Sequence, residues 1–170
     1  MGRIPAIAFA AFSGVGKTTL IERIVRELKA RGIRTAVIKH DGHRFEIDHE
    51  GKDSWRFAQA GADMVIISSA DQTACIERRE LSLQQLLDRI DHVDLVLVEG
   101  FKNEDLPQIG VARAAAGKGF TADPSRFCAI VTDLTVDTAT PCFGFDDIAE
   151  ITSFILDLAK QHTAKAAGEP

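Results

Sequence analysis

A chain of 170 residues, 45% apolar and 26% charged, has the size and balance of one compact domain with a real core. Its formal charge of -5 argues against a nucleic-acid footprint, and no apolar run reaches the length of a membrane-spanning helix. Its three cysteines, Cys75, Cys128 and Cys142, are odd in number and lack metal-like spacing, so buried, reduced thiols are expected.

The first predicted element is an apolar strand from Ile4 to Phe12. It runs into Ala11-Phe12-Ser13-Gly14-Val15-Gly16-Lys17-Thr18-Thr19. Leu20, Ile21, Ile24, Val25 and Leu28 then recur at helical spacing, and Gly32 stops the helix after Arg31. Strand, glycine loop and helix are the setting a phosphate-binding P-loop (Walker A) requires. Backbone N–H groups from Ser13 to Thr19 would converge on an anion at the helix N-terminus. Gly14 and Gly16 let the backbone approach phosphate closely. Lys17 adds a point charge for the outer phosphates, and the Thr18 hydroxyl suits Mg²⁺. One departure stands out: Ala11 replaces the first glycine of the pattern and disfavours positive φ, so a different entry to the turn is expected.

Ile33 to Lys39 reads as a second buried strand. A polar loop follows through His40, His43, Asp48, His49 and Asp53, at the end of a strand where open α/β sheets bind ligands. For its histidines an ordinary solvated loop is the competing reading. Asp48 is a second carboxylate for the phosphate site. Ser54 is placed to cap a short helix through Ala60, closed by Gly61. Met64 to Ile67 reads as a third buried strand, and Ala74 to Glu77 as a strand returning antiparallel across Asp71-Gln72. Ser82 and Gln85 form a capping box before Leu83, Leu86, Leu87 and Ile90.

Val93 to Val98 is the strongest later strand and delivers Glu99-Gly100-Phe101 at its end. A carboxylate there resembles a Walker B segment, with Glu99 reaching Mg²⁺ and the Gly100 N–H near a γ-phosphate. Ile109 to Ala112 is a weak strand, and Ala114 to Gly119 reads as a mobile loop. Phe127 to Val131 is a further buried strand ending in Thr132-Asp133. Asp133 is the candidate reader of guanine. Its carboxylate accepts hydrogen bonds only, and guanine offers N1–H and an amine side by side. A loop aspartate capping a turn is the alternative. Asp147 and Glu150 suggest a capping box for a last helix carrying Ile148, Ile151, Ile155 and Leu158. Residues 162–170 read as a frayed tail.

The alternation predicts one α/β domain over residues 1–161, P-loop NTPase-like, with a mostly parallel sheet. The Ile4, Ile33, Met64, Val93 and Phe127 strands form its body. The Ala74 and Ile109 segments are expected as short antiparallel additions. Met1 to Pro5 lead straight into the first strand, so a cytoplasmic protein is expected.

Several stretches together resemble the molybdopterin-guanine dinucleotide biosynthesis protein B family. They are Phe9 to Leu20, Ile38-Lys39-His40 with His43, Asp48 with Gly51-Lys52-Asp53-Ser54, Ala60-Gly61-Ala62, and Leu97-Val98-Glu99-Gly100-Phe101-Lys102. The resemblance implies a dimeric P-loop protein that binds GTP with Mg²⁺ and hydrolyses it weakly at most. Lys17, Asp48 and Glu99 would act on the phosphates, Thr18 and Glu99 would hold the metal, and alanine at position 11 is in keeping with the family. It also implies an adapter role beside a guanylyltransferase acting on molybdopterin, with no nucleic-acid or membrane partner. Two other readings compete. A small-molecule P-loop kinase would need a lid with arginines, for which Arg78 and Arg79 are the adjacent pair. A metallochaperone-type GTPase would use His40, His43 and His49.

Overall fold

The computed structural model describes residues 4–42, 45–101 and 104–166. The chain forms two compact units, Met1–His40 with Leu86–Pro170, and Asp41–Gln85. The larger unit holds a six-stranded sheet in the order β2-β5-β1-β6-β7-β8. Its strands are β1 (Ala6–Ala10), β2 (Thr35–Lys39), β5 (Leu95–Glu99), β6 (Gln108–Ala112), β7 (Ala129–Thr132) and β8 (Cys142–Phe143), and every pairing is parallel. Two helices of this unit, α1 (Lys17–Ala30) and α4 (Ile148–Ala166), pack together with one face of the sheet.

Side-chain alternation explains the layers. Ile7 and Phe9 of β1, Leu95 and Leu97 of β5, Ile109 and Val111 of β6, and Ala129 and Val131 of β7 share one face. They meet Leu20, Ile21, Ile24 and Leu28 of α1 and Ile151 and Ile155 of α4. On the opposite face Ala10, Phe127 and Ile130 form a smaller cluster with Phe120, Ala122 and Val136 packed against it. Such burial of a leucine or isoleucine is worth roughly 1.5–3 kcal/mol each, so this helix face holds the P-loop helix to the sheet.

Glycine and polar contacts set the element ends. Gly32, at φ 77, ends the turn after α1, and the Ile33 N–H returns to the Leu28 carbonyl at 3.0 Å. At the starts of β2 and β5, Arg34 donates to both carboxylate oxygens of Asp94, at 3.0 and 2.6 Å. Those hydrogen bonds hold the Asp94 carboxyl down to about 2.

Several expectations need correction. The strand at Ile109 is neither weak nor antiparallel: β6 lies between β1 and β7, parallel to both. Its Gln-Ile-Gly-Val-Ala sequence lacks bulk because Gly110 is covered by Phe127, whose Cδ2 would lie 2.4 Å from a Cβ built there. The second strand is not buried as a whole. β2 is an edge strand, with only Ile38 buried and Val37 47% exposed. The third strand is outside the parallel sheet. In the smaller unit β3 (Met64–Ser68) pairs antiparallel with β4 (Thr73–Glu77), turning at Asp71-Gln72 as expected.

Also in the smaller unit, α2 (Asp53–Gln59) starts one residue before Ser54, so Ser54 lies inside the helix and Lys52 is its cap residue. The Ser82–Gln85 box does form. The Gln85 N–H donates to Ser82 Oγ at 3.2 Å, and the Ser82 N–H to Gln85 Oε1 at 3.0 Å, ahead of α3 (Leu83–Leu87). Asp147, by contrast, accepts from the Gly144 N–H at 2.7 Å and closes the turn before α4. β8 carried no signal in the sequence, and α4 runs beyond His162 to Ala166. Two of the cysteines expected to be buried are exposed: Cys75 on β4 and Cys142 on the edge strand β8. All three are free thiols, and burial pushes the Cys128 thiol up to about 11.

Candidate functional site

The P-loop connects β1, in the middle of the sheet, to α1. Gly14 and Gly16 adopt φ of 84 and 85, the left-handed region that a Cβ disfavours. Ala11 is buried at 2% exposure and is not among the residues with positive φ, so its replacement of glycine carries no backbone penalty. Val15 is fully buried and anchors the loop in the core. Gly16 caps α1 without a side-chain hydrogen bond, and the first turn carries no acidic residue. The positive end of the helix is therefore left for an external anion.

β5 lies beside β1, with Glu99 in register with Phe9. That pairing delivers the carboxylate to the loop. Thr18 Oγ1 donates to Glu99 Oε1 at 3.3 Å, and Lys17 Nζ lies 3.6 Å from the same oxygen. The Thr18 hydroxyl and the Glu99 carboxylate are hard oxygen donors side by side. This donor set fits Mg²⁺, which takes one or two protein oxygens and completes its shell with phosphate and water. Glu99→Gln is expected to remove most of the Mg²⁺ enhancement of nucleotide affinity, measured by titration with and without the metal. An undiminished enhancement contradicts the role of Glu99.

A constrained turn follows. Gly100 has φ 101, and the non-glycine Phe101 has φ 50. A Cβ on Gly100 would lie 2.8 Å from His40 Cβ and 2.9 Å from the His40 carbonyl oxygen. The His40 N–H donates to the Glu99 carbonyl at 2.7 Å, and its ring stacks at 4.4 Å on Phe101. His40 thus packs against the Glu99 turn. His43 and Lys102 lie outside the described residues. Asp48 and His49 belong to the smaller unit. There Asp48 Oδ1 accepts the His49 N–H at 2.9 Å, while its Oδ2 is buried without a partner.

On the other side of β1, β6 and β7 bring Asp133 and Arg113 together. Asp133 Oδ1 accepts the Ala114 N–H at 2.7 Å. A carboxylate oxygen has a second lone pair, so this bond leaves acceptor capacity. The stretch after Arg113, expected as a mobile loop, folds as a 3-10 turn at Ala114–Ala116 with Gly117 in the left-handed region. Arg113 stacks its guanidinium 3.8 Å over the Phe145 ring. The sequence reading missed Arg113 and Phe145. The available signal was an arginine at the end of a strand, and it was lost because β6 was assigned to the sheet's periphery.

Residues 6–133 match the family model for Molybdopterin guanine dinucleotide synthesis protein B. The chain belongs to this family. The molybdopterin-guanine dinucleotide biosynthesis adapter protein of Haemophilus influenzae is 37% identical over 157 residues, which cover 90% of this chain and 88% of that protein. The adapter protein of the same description from Escherichia coli is 36% identical over 163 residues, 91% of this chain and 93% of that one. Among solved structures, Bacillus subtilis MobB matches with a TM-score of 0.72 at 27% identity, covering 89% of this chain and 98% of that one. A second, a molybdopterin-guanine biosynthesis protein B, is 31% identical with a TM-score of 0.70 and covers 91% and 99%. These neighbours share the P-loop α/β fold expected from the MobB resemblance.

Proposed function

We propose that this MobB-family chain is a GTP-binding adapter in molybdenum cofactor biosynthesis. It assists a separate guanylyltransferase in joining a guanine nucleotide to molybdopterin. The observation that carries the nucleotide part is the meeting of Lys17, Thr18 and Glu99 at an uncapped helix N-terminus behind Gly14 and Gly16. The adapter part rests on the relatives, which are named for that role. Ser13 to Thr19 bind the phosphates through backbone N–H groups. Thr18 and Glu99 would hold Mg²⁺, which would offset phosphate charge when bound. The Gly100 N–H serves the outermost phosphate, and Asp133 reads the guanine edge. Hydrolysis is weak, with Lys17 and Glu99 as the groups acting on the phosphates.

The working site is the cytoplasm, and no helix among the described residues is long and apolar enough to cross a membrane. The chain acts as a homodimer. Support comes from the smaller unit, where Met64 and Ile66 on one face of a two-stranded sheet are 44% and 61% exposed. Such a sheet is marginal alone, and an uncovered apolar face favours a partner. β4 keeps its place in this reading. β6 does not, because both its edges are paired within the sheet.

The test is a reconstituted reaction of molybdenum-loaded molybdopterin, Mg²⁺, GTP and a guanylyltransferase. Adding the chain raises dinucleotide yield, and adding Lys17→Ala does not. Equal yields with and without the chain contradict the proposal.

A further inference from the structure

The larger unit has a small cavity beside the P-loop that the Lys17–Glu99 cluster does not use. Gly16, Thr19, Leu20, Arg23, Arg113 and Phe145 line a space of about 80 Å³. A single water needs roughly 10–15 Å³ of such volume, so this space suits a group of several atoms but not a whole nucleoside.

Its two cations differ. Arg23 is committed, donating to the Phe145 carbonyl at 2.8 Å and to Asp146 Oδ1 at 3.0 Å. Those bonds hold the Phe145 turn against α1. Arg113 Nε is buried without a hydrogen bond. The Phe145 ring carries one face of its guanidinium. Stacking leaves the in-plane N–H groups aimed outward, the fork geometry that matches phosphate oxygens. The guanidinium also reaches the loop itself: a Cβ on Gly16 would lie 3.7 Å from Arg113 Cζ. A buried donor left unsatisfied is costly, so the arrangement favours an arriving acceptor.

Strand order says which phosphate arrives. Glu99 approaches the loop from β5, on one side of β1, and meets the Thr18 hydroxyl there. Arg113 approaches from β6, on the other side. Outer phosphates and Mg²⁺ belong with Lys17, Thr18 and Glu99. The opposite side, with Gly16 and Thr19, is left to the phosphate nearest the sugar.

We infer that Arg113 clamps the sugar-proximal phosphate of the bound nucleotide, a 5′-phosphate ester, from the β6 side of the loop. The inference rests on the proposed nucleotide site. Asp133 serves it as well, because its bond to the Ala114 N–H fixes the turn that starts at Arg113. Phe145 and Arg23 fix the face on which the guanidinium lies.

The test is calorimetric titration of the full chain with GTP, GDP and inorganic pyrophosphate. Pyrophosphate has no sugar-proximal ester. Arg113→Met keeps an apolar stem over Phe145 and removes the charge. It is expected to weaken GTP and GDP by the same factor, roughly tenfold or more, and to leave pyrophosphate unchanged. Arg113→Lys recovers part of the loss. The assignment is overturned if GTP alone weakens, if pyrophosphate weakens equally, or if nothing changes. Wild-type chain that binds pyrophosphate but no GTP overturns it too. Wild type that binds neither ligand overturns the nucleotide site itself and this assignment with it.

Discussion

Lys17→Ala is expected to abolish measurable GTP binding at micromolar concentrations while the fold persists. Lys17 sits at the first position of α1, 15% exposed, and its ammonium lies 3.6 Å from Glu99. In the proposed nucleotide complex it would supply the charge on the outer phosphates. Hydrogen bonds to charged groups are worth about 1.5–3 kcal/mol, and each 1.4 kcal/mol is tenfold in affinity. A loss of roughly ten- to a hundredfold follows from the contact alone. A second effect adds to it. Without Lys17, the mostly buried Glu99 carboxylate keeps Thr18 but loses its cation, and an uncompensated anion beside the loop repels phosphate. The fold is spared because α1 is held through Leu20, Ile21, Ile24 and Leu28. Calorimetry and thermal denaturation on the same sample check both halves. Unchanged GTP affinity contradicts the site.

Gly100→Ala is expected to carry a large cost to stability. Its φ of 101 lies in a region that costs a side-chain-bearing residue about 1–3 kcal/mol. Its new Cβ would also meet the His40 carbonyl oxygen at 2.9 Å and His40 Cβ at 2.8 Å. That oxygen belongs to the backbone at the end of β2 and yields only if the strand end moves. A total of roughly 2–4 kcal/mol is expected, or about 5–15 °C in Tm for a chain of this length. Gly14→Ala is the internal control. It has φ 84 with nothing within 4 Å of the added Cβ, so it carries strain without collision. Gly100→Ala should therefore unfold several degrees below Gly14→Ala. It should also blunt the Mg²⁺ effect, since displacing the turn displaces Glu99. Equal midpoints for the two variants contradict the steric account.

The local parts of this site were legible in the sequence, and the non-local parts were not. The P-loop declares itself within twenty residues, because strand, glycines, lysine and helix are adjacent. Glu99 was legible because Leu95 to Val98 are apolar on both faces, which marks a strand covered on both sides. The Met64 run looked the same and misled. Val65 is buried, but its neighbours lie on an exposed antiparallel pair. An apolar run reports tendency to be covered, and it does not say whether the cover is this chain or another. β6 misled in the opposite direction, because Gly110 thins its pattern where Phe127 supplies the bulk. That contact joins residues seventeen apart and cannot be read locally. Misplacing β6 hid Arg113, and with it the second side of the loop.

Titration of the full chain with GTP and with ATP, each with Mg²⁺, tests the central claim most directly. GTP should bind at least tenfold more tightly, because adenine presents an acceptor where the Asp133 carboxylate needs a donor. ATP binding as tight as GTP, or no binding of either, would contradict the account.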